Sequence, residues 1–172
     1  MKKIPLTQGK YAIVDDSDFE WLNSYKWCAS KSGHTFYAVR RRLKTEGPGP
    51  AIIMHRAILG LGPEDKQEVD HKNHNGLYNR RNNLRACTST QNHQNKTLQK
   101  NGSSIYKGVS WDKFRHKWHA HIRINGHAKY LGYFVNEIEA AQTYDEAARK
   151  YFGEFACCNF KEARAGQGAL FD

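Results

Sequence analysis

Asp70 and His71 stand side by side in the run VDHKNHNG, which begins at Val69; Asn83 and Asn92 follow in a stretch dense in Asn and His. A hard divalent cation such as magnesium or manganese prefers oxygen ligands and keeps several waters. One carboxylate, one amide oxygen and a phosphate therefore suffice to hold it. An imidazole titrates near neutrality and can take a proton from water. Together these groups fit hydrolysis of a phosphodiester, with His71 as general base and Asp70 and Asn92 as metal ligands that neutralise charge at the phosphate. An amide such as Asn83 could fix the His71 tautomer through one hydrogen bond. Asn73, Asn75, Gly76 and Asn79 read as turn formers, and His74 and His93 as structural.

Composition agrees with a polyanionic partner. Twenty-seven Lys and Arg against seventeen Asp and Glu give a formal charge of +10, which favours nucleic acid. The four cysteines, Cys28, Cys87, Cys157 and Cys158, form no CxxC pair. Neither a zinc ribbon nor a regular disulfide framework is indicated, and a reducing cytoplasmic compartment is expected. No stretch approaches the ~20 apolar residues of a membrane span, so the expectation is a soluble, unexported protein.

The elements that must position these residues can be read from periodicity and punctuation. A strand ending at Asp70-His71, an Asn- and Gly-rich loop, and a second strand over Leu84 to Cys87 lead to Thr88, which with Gln91 makes a capping-box signature. That predicts a helix running to about Gln99 and places Asp70 and His71 opposite Asn92. Upstream, YAIVDD reads as a strand, SDFEWLNSY as a helix opened by Ser17 or Asp18, and FYAVRRR as another strand; AIIMHRAILG resumes order after the turn residues Thr45 to Pro50. Trp21 and Trp27 are expected in the core. Arg40, Arg41 and Arg42 read either as phosphate contacts or as a solvated strand end, and no chemistry is assigned to residues 1 to 50. The breakers Gln99 to Ser104 mark a boundary. The expected division is 1–100, a linker at 101–104, and 105–172.

The segment DHKNHNGLYNRRNNLRACTSTQN resembles the HNH nuclease motif in its phage and intron homing-endonuclease form, and MHRAILG around His55 resembles a segment often found before it. The resemblance implies that His71 is the general base, that Asn83 orients the motif, and that Asp70 and Asn92 bind the metal. The third motif position is Asn92 by spacing, with His93 beside it. The bracing cysteines of some HNH proteins are missing.

From Ile105 onward the pattern changes. Asn125-Gly126 between alternating runs signals a hairpin, and three antiparallel strands are expected at about 105 to 111, 117 to 124 and 128 to 134. Trp118, Ala120, Ile122 and Ile124 share one strand face, and Lys117, His119, His121 and Arg123 the other. Asn136 with Glu139 opens a helix that Gly153 closes, with Ile138, Ala141, Tyr144, Ala148 and Tyr151 as its apolar stripe. The exposed sheet is expected to carry Lys107, Trp111, Lys113, Arg115, Lys117, Arg123, Lys129 and Tyr130 on or near a DNA-binding face.

YKGVSW, KWHAHIR, YLGYF, AAQTYDEAARKYFG and the closing NF resemble the APETALA-type ethylene-response-factor DNA-binding domain. In that family the sheet docks in the major groove and the helix backs it. By position Arg123 matches a DNA-contacting Arg, and Tyr130 stands where plant members have a contacting Trp. Ser110 and Ala128 replace plant Arg residues and His121 a Glu, so plant specificity does not transfer.

The expected fold class is α+β: a ββα-metal unit followed by a three-stranded antiparallel sheet packed on one helix. The expected function is a metal-dependent, homing-type endonuclease acting on double-stranded DNA. No membrane and no obligatory protein partner are implied, and a phage-encoded copy would work in the cytoplasm of a bacterial host. The alternatives are a DNA-binding regulator with an inert HNH-like segment and a nuclease acting on RNA or damaged DNA.

Overall fold

Short alternating runs broken by Gly, Pro and Asn can form only short strands. The computed structural model, which describes residues 1–97 and 102–160, is accordingly α+β, with four small antiparallel sheets and four α-helices among those residues. The chain divides into two compact units, Met1–Asn95 and Lys96–Asp172.

In the first unit, β1 (Lys2–Pro5) pairs with β2 (Tyr11–Val14), and α1 (Asp16–Asn23) follows. A second sheet joins β3 (Cys28–Ser32), β4 (Thr35–Arg40) and β5 (Ile52–Ile53), after which comes α2 (Met54–Ile58). A two-stranded ladder of β6 (Glu68–His71) and β7 (Leu84–Cys87) leads into α3 (Ser89–Gln94). Ile4, Ala12, Val14, Leu22, Trp27, Ala38, Met54, Ile58, Val69 and Leu84 form one core beneath these pieces. Trp27 is buried there, its Nε1–H donating to the Leu22 carbonyl at 2.8 Å.

Trp21, expected in the core, is 40% exposed. The eight-residue α1 buries only Asp18 and Leu22, one turn apart, and Trp21 falls off that narrow stripe. The helix begins one or two residues before the expected opening, with Asp15 at its N-cap. The capping box of α3 is present: Thr88 Oγ1 accepts from the Gln91 amide at 3.2 Å and Gln91 Oε1 from the Thr88 amide at 2.9 Å. Its helix ends at Gln94, and the part expected at 98 to 99 lies outside the described residues.

The second unit packs β8 (Val109–Asp112), β9 (Lys117–Ile124) and β10 (His127–Phe134), with β9 central, against α4 (Glu137–Phe152). Ala140, Ala141, Ala147 and Ala148 let the helix approach closely, and Ile122, Tyr144 and Phe152 fill the space between. Ile138 and Tyr151, expected in that stripe, are 47% and 39% exposed; Ala140 and Phe152 take the inward places. Asn136 caps the helix by accepting from the Ile138 amide at 2.8 Å.

The first strand starts at Val109 rather than near 105 because Gly108 turns the chain with φ +77. A Cβ there would run into the Tyr144 ring. Buried Asp145 then fastens the segment after the helix, accepting from Asn159 N (2.7 Å), Asn159 Nδ2 (3.0 Å) and Phe160 N (2.8 Å). The NF pair is thus a structural latch.

Candidate functional site

Side chains alternate along a strand, so neighbours on β6 cannot share a face. Glu68 and Asp70 meet α3 and the residue after it, whereas His71 turns to the other side. Asp70 lies directly across from Arg85 in the ladder and pairs with its guanidinium, Nη2 at 2.6 Å and Nε at 2.8 Å. Asn95 Nδ2 donates to both Asp70 oxygens, at 2.8 and 3.0 Å. Asn92 donates instead to Glu68, at 2.6 Å. The expectation that Asp70 and His71 both face Asn92 is corrected: the carboxylate partner from this side is Asn95, and His71 is on the opposite face. His93 bonds back to Ser89 O at 2.7 Å within its own turn, leaving Asn92 as the one of the pair that faces β6.

On the other face the His71 ring is buried, with Nε2 2.9 Å from Asn79 Oδ1. His55 of α2 and Tyr37 of β4 wall it in, at centroid distances of 5.0 and 5.9 Å. Burial pushes the His71 pKa below its ordinary value, against the opposing pull of the Asn79 hydrogen bond and the Asp70 charge. Burial also takes His55 down to about 3. Both rings are predominantly neutral at pH 7. Burial, with the Asp70 charge second, raises the Tyr37 hydroxyl.

Asn83 does not touch the ring. Its Nδ2 donates to Asn73 Oδ1 (3.0 Å) and to the Tyr78 carbonyl (2.8 Å), and its Oδ1 accepts from the Asn73 amide (3.1 Å), so it braces the loop between the strands. The amide that meets His71 is Asn79, read from sequence as a turn former. Nothing in a run so rich in Asn distinguishes the one that becomes wholly buried.

The loop is also tied to the first residues of the chain, to which no chemistry was assigned. Arg80 donates to Asp15 (2.6 Å) and Arg81 to buried Asp18 (2.7 and 2.8 Å). Gly76 lets the loop press on β4: a Cβ there would sit 2.5 Å from the Phe36 carbonyl oxygen and 2.7 Å from the Tyr37 ring. Arg40 and Arg42 are occupied internally. Arg40 grips Glu46 at 2.6 and 2.7 Å, and Arg42 donates to the Pro50 and Glu46 carbonyls.

In the second unit, register decides which side chains share the face away from α4. Lys117, His119, His121 and Arg123 of β9 lie beside Ser110 and Asp112 of β8 and Ala128, Tyr130 and Tyr133 of β10. The irregularity between Tyr130 and Gly132 brings Tyr133 opposite His119. His119 therefore sits among rings, stacked with His121 at 5.2 Å and Tyr130 at 5.5 Å, with Tyr133 at 5.2 Å. The Arg115 guanidinium lies 4.9 Å from the Tyr133 ring centroid.

Two expected members of this face point to the helix side of the sheet instead. Lys129 is opposite Ile122 and so points to the helix side, where Nζ donates to the Tyr151 hydroxyl at 2.6 Å. Trp111 is opposite Trp118 on that same side, their rings 5.0 Å apart. Lys129 and Tyr130 are consecutive and cannot share a strand face. Lys107 precedes the sheet; its Nζ donates to the Lys96 carbonyl at 2.7 Å, and burial lowers its pKa. Lys113 is exposed in the turn between β8 and β9. Lys117, Arg123 and Tyr130 remain on the outward face, with Arg115 at its edge.

The chain is 33% identical over 156 residues to an uncharacterized HNH endonuclease of Acanthamoeba polyphaga mimivirus, a match that covers 88% of this chain and 76% of the relative. It belongs to the HNH endonuclease family. No family model matches the chain. Part of the chain is similar to plant proteins. It is 45% identical over 65 residues to an AP2-like ethylene-responsive transcription factor of Arabidopsis thaliana, 37% of this chain. It is 38% identical over 73 residues to an APETALA2-like protein of Oryza sativa subsp. indica, 41% of this chain. The matches span 13% and 17% of those plant proteins.

HNH nucleases generally use a divalent metal. Among the described residues no group of three or more His, Cys, Asp or Glu could hold an ion, so a cation in this chain would have to rest on few protein donors. The α3-facing side of β6 supplies oxygens of the right kind: the Asp70 and Glu68 carboxylates and the Asn92 amide oxygen. Asp70 Oδ1 accepts only from Asn95, and Asn92 Oδ1 has no hydrogen bond among the described residues. That donor set fits a hard divalent cation completed by water and phosphate. No helix among the described residues is long and apolar enough to cross a membrane.

Proposed function

We propose that this HNH endonuclease hydrolyses phosphodiester bonds in duplex DNA with a divalent cation, magnesium or manganese. In this reading β6, β7 and α3 work as a ββα-metal unit, and the outward face of the β8–β9–β10 sheet docks in the major groove. The observation that carries the proposal is the pairing of opposite environments on consecutive residues of one strand. Asp70 lies on the face of β6 that meets α3, beside the Glu68 carboxylate and the Asn92 amide, and His71 lies in a buried pocket that keeps an imidazole neutral.

Asp70 and Asn92 are the residues that would hold the cation, which would neutralise charge on the scissile phosphate and the leaving oxygen. His71, neutral and held by Asn79, takes a proton from the attacking water. Asn83 keeps the intervening loop in shape. Arg123 and Lys117 supply phosphate or base contacts, and Tyr130 presents an exposed ring beside them. Binding by the second unit would raise the local concentration of the nuclease near its target.

Incubation with supercoiled plasmid tests this reading. Nicked or linear products should appear with magnesium or manganese and vanish with EDTA or in His71→Ala. The Arg85–Asp70 ion pair favours a second reading, a DNA-binding regulator whose HNH segment is inert, because a guanidinium already satisfies the carboxylate. Plasmid that stays closed with every metal while DNA binding is intact would decide for that regulator.

A further inference from the structure

We propose that Asn79 and Met54 form a positioning pair that locks His71 in its Nε2–H tautomer, leaving the Nδ1 lone pair to act on water. This rests on the reading of His71 as general base and adds what aims it.

The argument starts from the two unlike ends of a carboxamide. Asn79 is wholly buried, and its side chain has two hydrogen-bond partners among the described residues: Nδ2 lies 3.5 Å from Sδ of Met54, and Oδ1 lies 2.9 Å from Nε2 of His71. A thioether accepts weakly and cannot donate. Only the N–H end of the amide gains anything by facing it. The reverse orientation would set the amide oxygen against sulfur lone pairs and turn an N–H toward His71, which would then need its proton on Nδ1. The sulfur thus selects the amide orientation, and the amide selects the tautomer.

The framework leaves the amide little freedom. The Asn79 backbone N–H donates to the Ile13 carbonyl at 2.7 Å, and Ile13 N–H to the Leu77 carbonyl at 2.8 Å, so β2 holds the segment on both sides. Met54 is wholly buried in the core and is followed directly by His55, whose ring stands edge-on to His71. Short α2 therefore acts on His71 twice, through Met54 and Asn79 and through the His55 ring. Nδ1 of His71 carries no hydrogen bond among the described residues. When it takes a proton from water, hydroxide is left to attack phosphorus, and the imidazolium keeps its Nε2–H bond to Asn79.

Long-range nitrogen–proton correlation spectra of the full chain, labelled at histidine nitrogen and assigned with His71→Gln, read the tautomer without any nuclease assay. The expected wild-type spectrum shows a protonated Nε2 and a bare Nδ1. Asn79→Asp keeps an acceptor and should keep that form. Met54→Leu frees the amide and should mix in the Nδ1–H form, with kcat for plasmid nicking lowered in proportion to the Nε2–H fraction lost and KM unchanged. A wild-type Nδ1–H signal, or a tautomer and kcat unmoved by Met54→Leu, overturns the proposal. An Nε2–H signal that Met54→Leu disperses, in a protein that nicks no DNA, keeps the lock and removes the general-base reading.

Discussion

Asp70 and Arg85 face each other across the β6–β7 ladder in a buried ion pair, their side chains 6% and 9% exposed and Oδ2 2.6 Å from Nη2. Removing one partner leaves the other charge buried without compensation, which typically costs about 3–5 kcal/mol. Asp70→Ala should therefore both abolish nicking and lower the urea midpoint of the first unit. Asp70→Ala combined with Arg85→Met should recover much of the midpoint but none of the nicking. Recovery of both would show that Asp70 serves stability alone.

The face assignments of the β8–β9–β10 sheet separate two cations that look equivalent in sequence. Arg123 is exposed on the outward side, and Lys129 is tied to Tyr151 on the helix side. Arg123→Ala should weaken duplex binding and reduce the slope of log K against log salt by about one contact. Lys129→Ala should change neither by a comparable amount. Titrations over a range of salt, with EDTA present to prevent cleavage, check both, and equal effects would contradict the register-based assignment.

His55 makes stability depend on pH. Above its ordinary value of 6.5 it is neutral in folded and unfolded chains alike; between 6.5 and about 3 the unfolded chain binds a proton that the folded one refuses. Stability contributed by the neutral ring is thus present above pH 6.5 and lost as pH falls toward 3. His71, also lowered by burial, adds in the same direction. Urea midpoints measured from pH 7 to 4.5 should fall, and less steeply in His55→Leu. An unchanged slope in that variant would place the acid sensitivity elsewhere.

Gly108→Ala should destabilise the second unit by about 1–3 kcal/mol. Its positive φ resists a side chain, and the Tyr144 ring occupies the place of a Cβ. Thermal unfolding of the full chain measures the loss. Tyr144→Leu, which clears the ring, should relieve part of the packing conflict in the double variant while leaving the backbone strain.

Legibility in the sequence followed the range of the interactions. The β7 strand, the Thr88 capping box and the Asn136 cap are local devices, and their residues announced them. β1 and β3 each bury a single side chain, too faint an alternation to notice. Asp70 and His71 stood out because a carboxylate and an imidazole at a strand end need explaining. Asn79, Tyr37 and Met54 did not, because the cluster around His71 is closed by contacts that span 25 positions from Met54 to Asn79 and 34 from Tyr37 to His71. Lys129 and Trp111 were misplaced for a different reason. Net charge and aromaticity identified a binding face, but only strand register tells which of two neighbours lies on it.

The dense support around His71 also limits how far the motif can travel. Residues 68 to 95 include the acid, the imidazole and every motif asparagine, yet Tyr37, His55, Met54 and the Ile13 carbonyl all lie upstream of them. A cassette cut at the motif boundaries and grafted into a foreign scaffold would keep the letters and lose the socket. The smallest transplantable piece of this chain begins at its second strand.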